Sequence, residues 1–578
     1  VDGQAGYRTQ MPVFVDDVWA GHSPGLAAPG PSDITVVEND PLSITVSWST
    51  PIPTTSMVQY TWDGSPALSP NGWFAYDDQL VTNHSVTITN RFLPDMPQKF
   101  RVQSVSSSAW VVSDLRSFQT GPLDTLRNGD FEASGLAWDQ ELGFGMGAIP
   151  WVKFMASGTT SYGTGISRDE TYPMHGFLSS SPTHSLIFEE GYSTAMSYGG
   201  AYQRIKVGTA NAGEMYTATS KVFTYAQSQA PSDVNNRLGI DPTGGTDPDG
   251  VSVVWGPWVN TGGAWGQAVC AAIAGQGADP WDGYITVFLQ TEHRWAVPLN
   301  LTMFDDVQLT LAVPKTSIKD AKNTTIGWPV DLGATGPGIL VTKSETLTEN
   351  NPEGATGPID VPYCWVQDDD RANGIRVRLD KLDWPTVYEL ERGARVRIRG
   401  VTNRRELQDN YAGELEIVAL QAQAISTGNE DPVPLEVTNK TAGGAASGNQ
   451  RGATGAAGAG NIGLIVKTTG KVLEVQDPIA GFPFAYYFVI DDGSAVFNPL
   501  APGQIGLMVY QPYDEYYWRD PVANPFVGET VAVTGTSCLE VYDPTPIVGT
   551  TIPDGSGDEV LVPIIRMRDG RDLQILQP

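Results

Sequence analysis

The chain has 578 residues, enough for about four domains. Hydrophobic residues make up 40% and aromatics 10%, which excludes a disordered chain. Only 17% are charged and the chain holds 63 Gly and 42 Pro, which argues for an all-β protein and against a helical enzyme. A net charge of −30, from 35 Lys and Arg against 65 Asp and Glu, repels phosphate backbones and excludes a general nucleic-acid partner. Three widely spaced cysteines form no disulfide framework, and no apolar run reaches the roughly 20 residues that cross a bilayer.

Residues 1–30 form an arm without a core-sized pattern. Within it Val13, Phe14 and Val15 lie in one short apolar stretch that reads as a strand. Such a strand pairs either with its own first domain or with the sheet edge of a neighbouring copy. From residue 31 to 121 the pattern is period-two alternation in short runs, such as Ser43-Ile44-Thr45-Val46-Ser47-Trp48 and Phe100-Arg101-Val102-Gln103-Ser104-Val105. These runs, the early Trp48 and the closing Ser117-Phe118-Gln119-Thr120 resemble a fibronectin type III domain. The resemblance is to the version that precedes the catalytic domain of purple acid phosphatases. Phe100 stands where that family's corner tyrosine is usual, and the phosphatase motifs do not follow.

Residues 122–313 open with Asn128-Gly129-Asp130-Phe131-Glu132 and close with Phe304-Asp305-Asp306-Val307-Gln308-Leu309-Thr310, with a ladder of strands between. The combination resembles the jelly-roll carbohydrate-binding modules attached to secreted glycan-degrading enzymes. That resemblance implies a structural Ca2+ held by Asp130, Glu132, Asp305 and Asp306, because the first and last strands of that fold lie side by side. The same carboxylates equally suit strand ends that accept backbone amides. Trp255, Trp258, Trp265, Trp281 and Trp295 crowd into 41 positions beside Gln267, Gln290 and Glu292. Flat aromatic rings next to amides and carboxylates are what a sugar ring needs, so Trp255, Trp258, Trp265 and Trp295 are the glycan-binding candidates. Core packing or a protein interface uses Trp equally well.

A linker at 314–337 precedes a pattern that appears twice, in 338–441 and 461–578, with a Gly/Ala/Thr-rich segment at 442–460 between the copies. Each copy runs strand, aromatic strand ending in Asp-Asp, short strand, then a Gly-to-Gly motif: Gly393 to Gly400 in the first, Gly528 to Gly535 in the second. The order resembles the small Greek-key barrel called the OB-fold. In the first copy Arg376 and Arg378 share one strand face and Arg395, Arg397 and Arg399 another. This is a stripe suited to an acidic neighbour, a charged glycan or nucleic acid, or a solvated face balanced by Asp380, Glu391, Glu414 and Glu416.

The five histidines show no metal-protease spacing, and neither a Gly-x-Ser-x-Gly elbow nor a P-loop is present. The fold expected is therefore all-β: a fibronectin type III-like sandwich, a jelly-roll sandwich and two OB-like Greek-key barrels in a row. The function expected first is a non-catalytic, secreted, cell-surface protein that assembles head-to-tail with other copies of itself into a filament or surface layer. Here the arm and the Arg stripe serve as interface. The alternative is a glycan-binding or adhesion protein that contacts extracellular polysaccharide.

Overall fold

The structure is a computed structural model. It describes residues 30–68, 73–107, 110–132, 149–155, 163–166, 185–190, 197–226, 234–293, 300–350, 358–404, 413–476, 487–501, 503–511, 525–542 and 560–577. The chain divides into two compact units, residues 1–268 with 273–310 and residues 311–578 with 269–272. Val13, Phe14, Val15 and Trp295 lie outside the described residues.

The first unit is built from strands β1 (Ser32–Asp40), β2 (Ser43–Tyr60), β3 (Trp73–Ile88), β4 (Pro97–Val105), β5 (Trp110–Val112), β6 (Arg116–Gln119), β7 (Val152–Met155), β8 (Gly163–Ile166), β9 (Leu186–Glu190), β10 (Ser197–Lys206), β11 (Met215–Ala226), β12 (Val234–Asp241), β13 (Val254–Trp255), β14 (Trp265–Ile273), β15 (Tyr284–His293) and β16 (Asn300–Leu311). β2 is long enough to serve two groups of strands. Its first half pairs with β1 and the end of β3, and its second half with the start of β3 and with β4. The alternation read from the sequence decides which side is core. Ile44, Val46, Trp48, Val58, Tyr60, Phe100 and Val102 all point into one buried cluster. Trp48 stacks on His84, whose ring is held by the hydroxyls of Thr50, Thr54 and Ser56.

Two five-stranded sheets follow, in the orders β13-β12-β15-β10-β7 and β14-β11-β16-β9-β8. Asn236 Nδ2 donates to the Phe223 and Met303 carbonyls, and Thr291 Oγ1 donates to Thr302 Oγ1 at 2.8 Å, so these side chains bridge the two sheets. The residues that alternate with them on β12 and β15 must face away from the sandwich interior. The two modules of this unit share a buried cluster of Leu42, Leu123 and Ile149. A second tie joins Asp95 to Arg204 at 3.3 Å and to the Tyr284 hydroxyl at 3.2 Å.

The second unit holds α1 (Ile318–Lys322), β17 (Pro329–Leu332), β18 (Ile339–Asn350), β19 (Pro358–Gln367), β20 (Gly374–Arg378), α2 (Trp384–Glu389), β21 (Arg395–Arg404), β22 (Leu415–Ser426), β23 (Leu435–Glu436), β24 (Ile465–Gln476), β25 (Tyr487–Asp491), β26 (Leu507–Tyr510), β27 (Thr530–Tyr542), β28 (Val560–Arg566) and β29 (Leu573–Gln577). β18-β19-β20-β22-β21 closes on itself, and β24-β25-β26-β28-β27 closes in the same circuit. In both, the third and fifth strands run parallel. The two copies of the sequence pattern fall on the first four strands of these two barrels. Each barrel has its own apolar interior.

The barrels are fused rather than strung apart. Val361, Tyr363 and Trp365 point out of the first barrel into a buried cluster with Met508, Cys538 and Ile564 of the second. Gly374 and Gly463 meet backbone to backbone, so closely that a Cβ on either would collide with the other. The Gly/Ala/Thr-rich run is folded onto the second barrel. Ala445 N–H donates to the Gly458 carbonyl and Thr454 N–H to the Leu561 carbonyl, while Ala453 packs with Ile462, Leu539 and Leu561.

Candidate functional site: the outer face of the jelly-roll sheet

Strand register assembles the site. Asn235 lies opposite Glu292, Arg237 opposite Gln290, and Gly239 opposite Phe288. Across the next pairings Gln290 faces Gly200 and Phe288 faces Tyr202, and Phe154 lies beside Gly200. All of these alternate with the inward Asn236 and Thr291, so they share the outer face of one sheet. Two glycines make room for rings on it. A Cβ at Gly239 would lie 2.6 Å from the Trp255 ring, and one at Gly200 would lie 2.6 Å from the Phe154 ring. Phe288 sits between the rings, with centroids 5.8 Å from Trp255, 5.8 Å from Tyr202 and 5.9 Å from Phe154.

The segment after β13 continues along β12. Gly256 N–H donates to the Leu238 carbonyl, and Val259 and Asn236 exchange backbone hydrogen bonds. Trp255 pairs with Gly239 and Val259 with Asn236, so four steps on one side match three on the other, as in a bulge. The extra residue brings Trp258 over Arg237. The guanidinium carbon of Arg237 lies 4.2 Å from the Trp255 ring centroid and 4.1 Å from that of Trp258. Its Nε donates to Gln290 Oε1 at 2.6 Å, which fixes the plane of the group. Beside it Asn235 Nδ2 donates to Glu292 Oε2 at 3.0 Å. Trp255, Trp258 and Arg237 are half-buried, whereas Gln290, Glu292 and Asn235 are buried beneath them. Burial raises the Tyr202 phenol, with its hydrogen bond to Thr246 opposing. The face thus offers flat rings, a rigid guanidinium and a phenol, above a buried layer of amides.

The structure brings Trp255 and Trp258 together and leaves Trp265 apart. Trp265 begins a strand of the other sheet, where it packs on Phe223 at 5.6 Å in a cluster with Leu301 and Met303. Sequence reasoning missed Arg237, Tyr202, Phe154 and Phe288. The alternation Asn235-Leu238 is broken by paired polar residues, and only the register shows that Arg237 lies against Gln290, 53 positions away.

The carboxylates expected to hold calcium lie on neighbouring segments. Val307 N–H donates to the Gly129 carbonyl at 2.8 Å. Asp130 Oδ1 accepts the Glu132 N–H at 3.3 Å, and the buried Asp305 accepts the Asp306 N–H at 2.8 Å. Among the described residues no three His, Cys, Asp or Glu side chains gather to hold a metal.

Each arginine of the stripe has partners within its barrel. Arg376 is buried and grips Glu416 through Nε at 3.1 Å and Nη2 at 2.7 Å, with its guanidinium carbon 4.8 Å from the Tyr363 ring centroid. Arg378 meets Asp380 at 2.9 Å, Arg395 meets Asp369 at 2.7 Å, Arg397 takes Asp331 through two bonds, and Arg399 binds Gln421. Among the described residues no helix is long and apolar enough to cross a membrane.

No protein-family model matches the chain, and no curated protein matches it. Solved structures similar to it include carbohydrate-binding modules of the β-sandwich superfamily, at 11% identity over 49% of this chain and 100% of that one, with a TM-score of 0.19. Another is the tandem CBM22-1–CBM22-2 domain of Paenibacillus barcinonensis Xyn10C, at 14% identity over 51% of this chain and 95% of that one, TM-score 0.21. A cyclase from Fischerella sp. TAU matches at 13% identity over 33% of this chain and 97% of that one, TM-score 0.23.

Proposed function

We propose that this protein binds polysaccharide outside the cell, without catalysis, through the outer face of the jelly-roll sheet. The observation that carries this reading is the Trp255–Arg237–Trp258 stack, locked by Gln290. A pyranose ring has apolar C–H faces and a rim of hydroxyls. Half-buried indoles receive the faces, while a guanidinium and a phenol, the first held in place by the buried Gln290, receive the hydroxyls at little ordering cost. In this reading the first module is of the fibronectin type III kind and the two barrels are OB-like. The head-to-tail homopolymer expected first from the sequence rested on the N-terminal arm and the Arg stripe. The arm lies outside the described residues, and the stripe's arginines are engaged within their own barrel.

The test is a pull-down of the full chain on insoluble cellulose, xylan and chitin, followed by calorimetry on the polymer retained. Wild type is expected to bind at least one. Trp255→Ala with Trp258→Ala weakens that binding at least about tenfold, the loss expected of a central aromatic anchor. Trp265→Ala, in the other sheet, leaves it unchanged. Retention of the double variant at wild-type affinity overturns the reading.

A further inference from the structure

A second sheet face in this chain is built to the same plan. In the first module the residues on β2, β3 and β4 that alternate with the core residues Val58, Tyr60, Ala75, Phe100 and Val102 face outward. Gln59 lies between Phe74 on one side and Arg101 on the other. Arg101 Nε donates to Gln59 Oε1 at 2.7 Å, and Gln103 Nε2 reaches the same oxygen at 3.3 Å. This is the cross-strand Arg–Gln pair of the jelly-roll face, where Arg237 Nε meets Gln290 Oε1 at 2.6 Å. Exposed aromatic rings again share the face, Tyr76 opposite Met57 and Trp110 opposite Val105. Tyr76 is 59% exposed and Trp110, beyond Gln103 on the neighbouring strand, is 64% exposed. Exposed large rings on the same face as a pinned guanidinium have no role in the core of this module.

We infer that this face is a further carbohydrate site, and that its ligand is a polysaccharide bearing carboxylate groups; the inference rests on the reading that the protein binds polysaccharide. The charge on the face selects the class. Lys99 and Arg101 are two residues apart on β4, hence on one face and about 7 Å from each other. Lys99 is steadied by its bond to Ser117 Oγ at 2.7 Å. Gln59 occupies the Nε edge of Arg101, and among the described residues its Nη groups make no hydrogen bond, so they suit a sugar carboxylate. Asp78, the next outward position on β3 after Tyr76, is exposed at the far end of the row. Two cations two positions apart match anionic groups repeating along a uronate chain, with Tyr76 and Trp110 stacking the ring faces. On the jelly-roll face Glu292 lies two positions from the Gln290 of the Arg–Gln pair, and Arg204 is already paired with Asp95 and Asp282.

The experiment is affinity electrophoresis of the full chain in gels containing polygalacturonate, neutral soluble xylan or dextran sulfate. The variants are Trp255→Ala/Trp258→Ala, Lys99→Gln/Arg101→Gln and Tyr76→Ala/Trp110→Ala. The last pair removes exposed side chains, so folding is retained. The jelly-roll variant is expected to keep its retardation by polygalacturonate. Either first-module variant weakens that retardation at least about fivefold and leaves any retardation by xylan unchanged. The inference is overturned if first-module substitutions leave polygalacturonate binding intact. It is also overturned if dextran sulfate retards the Tyr76→Ala/Trp110→Ala chain as polygalacturonate retards wild type, which would show charge attraction alone. Loss of all binding on changing Trp255 and Trp258 keeps the earlier reading and discards this one. Wild type retarded by none of the polymers discards both.

Discussion

Arg237 illustrates how a charged side chain is fixed in place rather than left solvated. Stacked between two indoles and bonded through Nε, it has lost its rotamer freedom before any ligand arrives. Asp569 shows the opposite use of charge, purely for stability. Burial alone would raise its carboxyl, but bonds from the side chain and backbone of Arg571 and the charge of Arg392 outweigh it and hold the value at about 2, against an ordinary 3.8. Arg392 also binds Asp431, and Arg568 joins Asp431 to Asp572. A carboxyl whose folded value is depressed stabilises the protein above its unfolded value and loses that contribution as pH falls through the folded value. Melting of wild type and Asp569→Asn from pH 6 to pH 2 is therefore expected to show a gap that is constant above about pH 4 and closes toward pH 2. A gap independent of pH would contradict this assignment.

β19 serves two cores at once. Its residues from Val361 to Gln367 are buried on both faces, because one face fills the first barrel and the other fills the junction with the second. Trp365→Ala is expected to destabilise both barrels together by roughly 3–5 kcal/mol, seen as one calorimetric transition moving down as a whole. Two separated transitions would show barrels that fold alone. Arg376 sits at the edge of this junction, 2% exposed and bonded to Glu416. Arg376→Ala leaves a buried carboxylate without its partner, at an expected cost of about 3–5 kcal/mol in denaturant melts. Arg376→Met with Glu416→Leu is expected to cost much less. Equal losses for the two would refute the pairing argument.

These elements also show what the sequence reveals. Period-two runs such as Ile44-Val46-Trp48 declare strand and core side at once, because alternation is local. The Gly-to-Gly motifs mark the fourth strand of each barrel for the same reason. The run Val361-Pro362-Tyr363-Cys364-Trp365-Val366 shows an aromatic strand, but apolar residues on both sides read equally as a fully buried strand within one barrel. The glycine-rich run at 442–460 looks like a spacer by composition, and its packing on Leu539 and Leu561 depends on residues about a hundred positions away. The site was half legible. Trp255 and Trp258 stand out by density, while Arg237 acquires meaning only from its long-range pairing with Gln290.

Taken whole, the molecule devotes its β-strands to two kinds of surface. Some outward faces are closed by a neighbouring module, as between the barrels. Others carry half-exposed aromatics around a pinned arginine, which is a composition suited to sugar rings. The most direct test of the central claim is indole ¹H–¹⁵N NMR of the full chain, whose 16 tryptophans are each one resonance. The spectrum would be titrated with an oligosaccharide of the polymer retained in the pull-down. Progressive shifts of the Trp255 and Trp258 signals are expected, with Trp48, Trp265 and Trp365 unmoved. Saturable binding that leaves Trp255 and Trp258 in place while other indoles shift would contradict it.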